Sequence, residues 1–91
     1  MTREIDLQSR FKRDYKREKK ANPLLDAILT PVLKMLVTDA VLPARLSDHA
    51  LHGEWKGFRD CHIKPDLVLI YQKTERVLSL ARLGSHSELF G

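Results

Sequence analysis

Apolar and polar positions alternate over Arg3-Glu4-Ile5-Asp6-Leu7, the period-two signature of a strand, which we read as a short strand at a sheet edge. Ser9 then stands where a helix N-cap belongs. From Arg10 to Ala21, Phe11 and Tyr15 fall four apart on one face while lysines and arginines cover the rest, which predicts a basic amphipathic helix. Asn22-Pro23 has the form of a second helix start, cap followed by proline, and apolar residues continue to about Val37. Pro31 falls inside that run. It predicts either a kink or a fresh helix beginning at Thr30-Pro31, because proline removes an internal hydrogen bond. From Val41 to His52 the period is lost, and Pro43 marks a loop leading into Gly53-Glu54-Trp55-Lys56-Gly57.

Alternation then returns. Phe58 to Ile63 reads as a strand with Arg59, Cys61 and Ile63 on one face and Phe58, Asp60 and His62 on the other. Lys64-Pro65-Asp66 supplies a turn, and Leu67 to Tyr71 is apolar on both faces as an interior strand is, so residues 58–71 form a hairpin. A second turn at Lys73 to Glu75 leads to a strand from Val77 to Leu83. Three antiparallel strands therefore follow two helical segments.

Length and charge narrow the classes that remain. A chain of 91 residues suits one domain, 1–91, with a thin core that a partner would stabilise appreciably. Lys and Arg exceed Asp and Glu by 16 to 12, giving a net charge of +4 and an affinity for phosphate or acidic protein. The lone Cys61 has no disulfide partner, and the charged stretch opening at Met1 has no apolar signal core, so the expected location is cytoplasmic. No apolar run approaches the roughly 20 residues that span a bilayer, and no membrane partner is expected.

His49, His52, His62 and His86 share the C-terminal half with Asp60, Asp66 and Arg82. Histidine, with an unperturbed pKa of about 6.5, suits proton transfer near neutrality. RNA cleavage needs a base for the 2′-hydroxyl, a cation for the phosphorane and an acid for the leaving oxygen, and these residue types meet that list. A metal site is not expected: HExxH, CxxC and HxxxH spacings are lacking, and Cys61 faces away from His62. No cofactor is implied. A protein lacking catalysis, binding DNA or RNA through its basic residues alone, is the competing reading.

The run from Asp48 through Asp66, with Leu69-Ile70-Tyr71 and the ending Arg82-Leu83-Gly84-Ser85-His86-Ser87-Glu88-Leu89-Phe90, resembles YafQ-type toxins of the RelE superfamily. The resemblance implies an α+β, RelE-like fold, with two N-terminal helices packed on a small twisted, mainly antiparallel β-sheet. It implies a toxin of a type II toxin–antitoxin system, a ribosome-dependent endoribonuclease that cuts messenger RNA in frame at the ribosomal A site. It also implies an acidic antitoxin, the ribosome and messenger RNA as partners. Carried over by position, His49, Asp60, His62, Asp66 and His86 form the expected catalytic set, and Arg82, Phe90, Lys56 and Arg59 the expected substrate-binding set. Gyrase poisons share this fold without being ribonucleases; the histidine set argues against that alternative.

Overall fold

The computed structural model describes residues 3–91; Met1 and Thr2, where the charged opening stretch begins, lie outside the described residues. Strand β1 (Glu4–Leu7) leads into helix α1 (Ser9–Ala21) and helix α2 (Leu25–Thr38). A 3-10 turn at Ala44–Leu46, the two-residue strand β2 (His49–Ala50) and a second 3-10 turn at Gly53–Trp55 follow. Strands β3 (Arg59–Lys64), β4 (Leu67–Lys73) and β5 (Val77–Gly84) form a meander, and helix α3 (His86–Phe90) closes the chain. The sheet runs β1-β5-β4-β3-β2, with β1 parallel to β5 and every other pair antiparallel.

Helices α1 and α2 cover one face of this sheet. Phe11 of α1 and Leu25, Leu29, Val32 and Leu36 of α2 are buried against Cys61, Leu69, Leu80 and their neighbours. Each such side chain removed from water contributes about 1.5–3 kcal/mol, and these outweigh the weak intrinsic stability of either helix. The opposite face is covered only in part, by Leu51, Trp55, Phe58 and Leu89 over Val68, Ile70 and Ala81. One face is therefore core, and the other is left partly open for chemistry.

Several local expectations need correction. Helix α1 begins at Ser9 itself, with Gln8 at the cap position and no side-chain cap bond, so the Ser9 hydroxyl does no capping. Helix α2 begins at Leu25 rather than at Pro23. Asn22 instead turns the chain: its Oδ1 accepts from Leu24 N at 3.1 Å and its carbonyl from Leu25 N at 3.0 Å. Pro31 neither ends nor restarts the helix. Ala27, whose carbonyl loses the donor that Pro31 lacks, is exposed, so that carbonyl is left open to solvent. The segment 41–52 holds a strand as well as a loop, since His49 and Ala50 pair with Asp60 and Arg59. The α1–α2 pair, the edge position of β1 and the β3-β4-β5 meander stand as the sequence pattern predicts.

Candidate active site

The two residues of β2 place His49 directly across from Asp60 of β3. His49 Nδ1 lies 2.9 Å from the Ser47 carbonyl and 3.0 Å from Asp60 Oδ1. Both neighbours are acceptors, so the ring proton belongs on Nδ1 and donates to Ser47, and Nε2 is left as the outer nitrogen of an exposed ring. Asp60 is only 2% exposed, and its Oδ1 receives no hydrogen bond. Burial pushes its pKa up, while His49, His62 and His86 pull it back and Asp48 adds to the rise. A buried carboxylate whose nearest donor, His49 Nδ1, is turned to another acceptor opposes stability and is a candidate functional group.

His62 follows Asp60 by two residues and so shares its face, above the buried Val68 and Ile70 of β4. Its ring meets that of His86 edge-on, with centroids 4.9 Å apart. His86 opens α3 behind the N-cap Ser85, whose hydroxyl accepts from Glu88 N while the Glu88 carboxylate accepts from Ser85 N. Its ring stands 6.2 Å from that of Phe90. Asp66, on the β3–β4 turn, accepts from the His86 backbone N–H at 3.4 Å and lies 3.6 Å from His86 Nδ1. The structure thus gathers His49, Asp60, His62, Asp66, His86 and Phe90 at the open face. An open cleft of about 510 Å³ beside His62 is lined by Arg45, Ile63, Lys64 and Pro65.

Residues 3–91 match the family model described as "Bacterial toxin of type II toxin-antitoxin system, YafQ". The chain belongs to the YafQ toxin family. It is 35% identical to the mRNA interferase toxin YafQ of Escherichia coli K12, over 98% of this chain and 97% of that one. The toxin in the Escherichia coli DinJ–YafQ toxin–antitoxin complex superposes with a TM-score of 0.89, at 36% identity and full coverage of both chains. A metal-bound toxin from Helicobacter pylori gives 0.89 at 42% identity, over 99% of this chain and all of that one. In the YafQ-family chain described here, no three His, Cys, Asp or Glu side chains converge into a metal-binding group among the described residues.

Of the expected substrate-binding set, Arg82 stands across from Ile70, in one row with Asp60, and so lies on the same sheet face, while Arg59 and Lys56 are placed differently in this YafQ fold. Arg59 turns to the opposite face of β3, where its Nε donates to Asp48 at 2.7 Å and the Tyr71 hydroxyl donates to the same carboxylate. That places it among structural anchors, with Asp48 fixing the segment that carries His49. Arg82 is gripped by the buried Asp14 of α1 at 2.6 Å. It lines a depression of about 300 Å³ with Arg10, Arg13 and Arg17. Lys56 is exposed at the end of the second 3-10 turn and makes no ion pair among the described residues. Sequence reasoning missed Arg45 and Lys64, which line the cleft beside His62, and Asp14 and Asp48 as the partners of Arg82 and Arg59. The Asp14–Arg82 and Asp48–Arg59 pairings join distant parts of the chain, which no local spacing carries.

Cys61 faces the core on β3, and burial pushes its thiol up to about 12, so it supplies no nucleophile. Among the described residues, no helix is long and apolar enough to cross a membrane.

Proposed function

We propose that this chain is the toxin of a type II toxin–antitoxin system and an mRNA interferase, an endoribonuclease that cuts messenger RNA in frame at the ribosomal A site. The observation that carries this reading is the His62–His86 pair beside the buried Asp60, on a sheet face that the helices leave open. In the reaction the 2′-hydroxyl loses its proton to one imidazole and its oxygen bonds to the adjacent phosphorus. The phosphorus–5′-oxygen bond breaks, and a second group returns a proton to that oxygen. His62 and His86 are close enough to divide the two tasks, and Asp66 holds His86 in place through its backbone N–H. Arg45 and Lys64 supply positive charge for the phosphorane beside His62. Phe90 offers an exposed ring on which a base can stack.

Relatives support the assignment: Escherichia coli YafQ is named an mRNA interferase toxin and is seen in a toxin–antitoxin complex with DinJ. The partners of this chain are accordingly an acidic antitoxin, messenger RNA and the ribosome, and its working location is the cytoplasm, where translation runs. Purified protein added to a translation extract tests this. Messages shortened at in-frame codons are expected, only when ribosomes are present. Intact messages, or nicked or trapped DNA, would overturn the proposal in favour of a gyrase poison or a simple nucleic-acid-binding protein.

A further inference from the structure

Strand β1 pairs with β5 only as far as Leu7 opposite Leu80, and Gln8 N closes that edge on the Leu80 carbonyl. Beyond it the outer edge of β5 has no strand neighbour, although this stretch leads straight into Gly84-Ser85-His86. Helix α1 fills the gap with side chains. Asp14 Oδ2 accepts from Leu83 N at 3.1 Å, and Arg17 Nη2 donates to the Leu83 carbonyl at 3.1 Å. The two side chains stand in for a missing strand at one residue.

The same pair reaches further. Arg17 Nη1 donates to Asp14 at 3.1 Å, and its Nη2 lies 3.3 Å from Glu88 Oε2 in α3. The Glu88 carboxylate in turn accepts from Ser85 N at 3.0 Å, so a continuous polar chain runs from α1 to both sides of His86. Gly84 makes room for it, because a Cβ there would lie 3.2 Å from both Arg17 Nη2 and Glu88 Oε1. Asp14 is 4% exposed, and an aspartate is an expensive way to pack a helix on a sheet when Phe11 already does so. Burial alone would raise its pKa, yet Arg82, Leu83 N–H and Arg17 together hold it below the usual range, so it stays ionised and fully bonded.

We propose that Asp14 and Arg17 are positioning residues for His86: acting through the Leu83 backbone and Glu88, they fix the segment that presents its imidazole to His62. This rests on the reading of His86 as part of the cleavage machinery. It explains why α1 places a buried ion pair where the β5 edge, among the described residues, runs past the end of β1. It also separates Arg17 from the solvated lysines on the same helix.

Arg17→Gln is the primary test, since the Arg17 side chain is nearly half exposed and its loss leaves the core untouched. Asp14→Asn is the second variant, keeping an acceptor for Leu83 N–H while losing the charge. Both are checked for folding by circular dichroism, then read by kcat and KM for message cleavage and by the ring carbon–proton NMR signals of the histidines. A loss in kcat of roughly 10- to 100-fold with little change in KM is expected, the scale on which small misplacements act. The His86 signals are expected to move while those of His49, on the far edge of the sheet, hold. Arg17→Lys, which keeps the charge without the forked donor, is expected to recover only part of the loss. Folded variants with unmoved His86 signals would overturn the positioning role. Moved signals in the variants, with a parent protein that itself cuts no message, would leave the positioning role standing and sink the ribonuclease reading instead.

Discussion

The carboxylate of Asp60 sits among three imidazoles, buried, with one oxygen beside His49 but not hydrogen-bonded, and its pKa is raised chiefly by burial. A carboxyl group whose pKa is raised by folding binds its proton more tightly in the folded state. Its stabilising contribution is therefore present below the unfolded pKa and is lost as pH rises through the folded one. At neutral pH the ionised Asp60 works against the fold. Asp60→Asn is expected to be more stable than the parent at pH 7 by about 1 kcal/mol in urea denaturation. That gain is expected to vanish below about pH 4, where the parent carboxyl is also neutral, and cleavage is expected to fall at every pH. His86 behaves differently, being exposed at the head of α3. His86→Ala is expected to leave the melting temperature unchanged and to lower the cleavage rate about 10²- to 10⁴-fold in a translation extract. Growth arrest equal to that of the parent on expression in cells would remove His86 from the mechanism.

Among the elements, α3 is the one whose formation is least explained by its own length. Five residues cannot hold a helix in isolation. The capping box of Ser85 and Glu88 satisfies donors at its start, and Leu89, 8% exposed, anchors it against Val68 and Ile70. Ser85→Ala is expected to cost about 1 kcal/mol of local stability. The amides of Leu89 and Gly91, which bond to the Ser85 and Ser87 carbonyls, are then expected to exchange faster with deuterium. Cleavage is expected to weaken as His86 and Phe90 lose their placement, and unchanged exchange would show that Leu89 alone holds the helix. The signature Ser85-x-x-Glu88 is legible in the sequence, but Leu89 and Phe90 are the apolar side chains that follow it, too few to show a helical period. The two-residue strand β2 is hidden for the same reason.

Across the whole molecule, charge links the fold to its partners. Asp14, Asp26 and Asp39 are all held below the usual carboxylate range, Asp39 at about 2 through Arg3 and Lys73, which tie the end of α2 to β1 and β4. Depressed pKa values give stability that is present above the unfolded value and lost as pH falls through the folded one. Denaturation midpoints are therefore expected to hold down to about pH 4 and to fall between there and pH 2, the Asp39 contacts failing last; a flat profile would contradict the pairings. The net charge of +4, with Arg10, Arg13, Arg17 and Arg82 around one depression, is expected to speed association with an acidic antitoxin. Stopped-flow association rates are expected to fall as salt rises, and a rate indifferent to ionic strength would show that charge does not steer the encounter.

The sequence by itself determined the meander, because alternation over Phe58 to Ile63, the apolar run Leu67 to Tyr71 and the turns that bound it leave short strands to pair in order. It determined the two helices from the spacing of Phe11 and Tyr15 and of the apolar positions of α2. It also marked the histidines and carboxylates as an acid–base set, since residue type alone states what protons a side chain can carry. Tertiary structure decided which of them meet. His49 stands opposite Asp60 through a pairing eleven residues apart, and His62 reaches His86 across the β3-β4-β5 meander. Arg82 and Arg59, equal to any other arginine in the sequence, were each assigned by a single buried or half-buried aspartate, Asp14 and Asp48. Local patterns record propensity and facing within one element. Partnership between distant charges depends on where the packed sheet and helices bring them, and only the folded chain contains that distance.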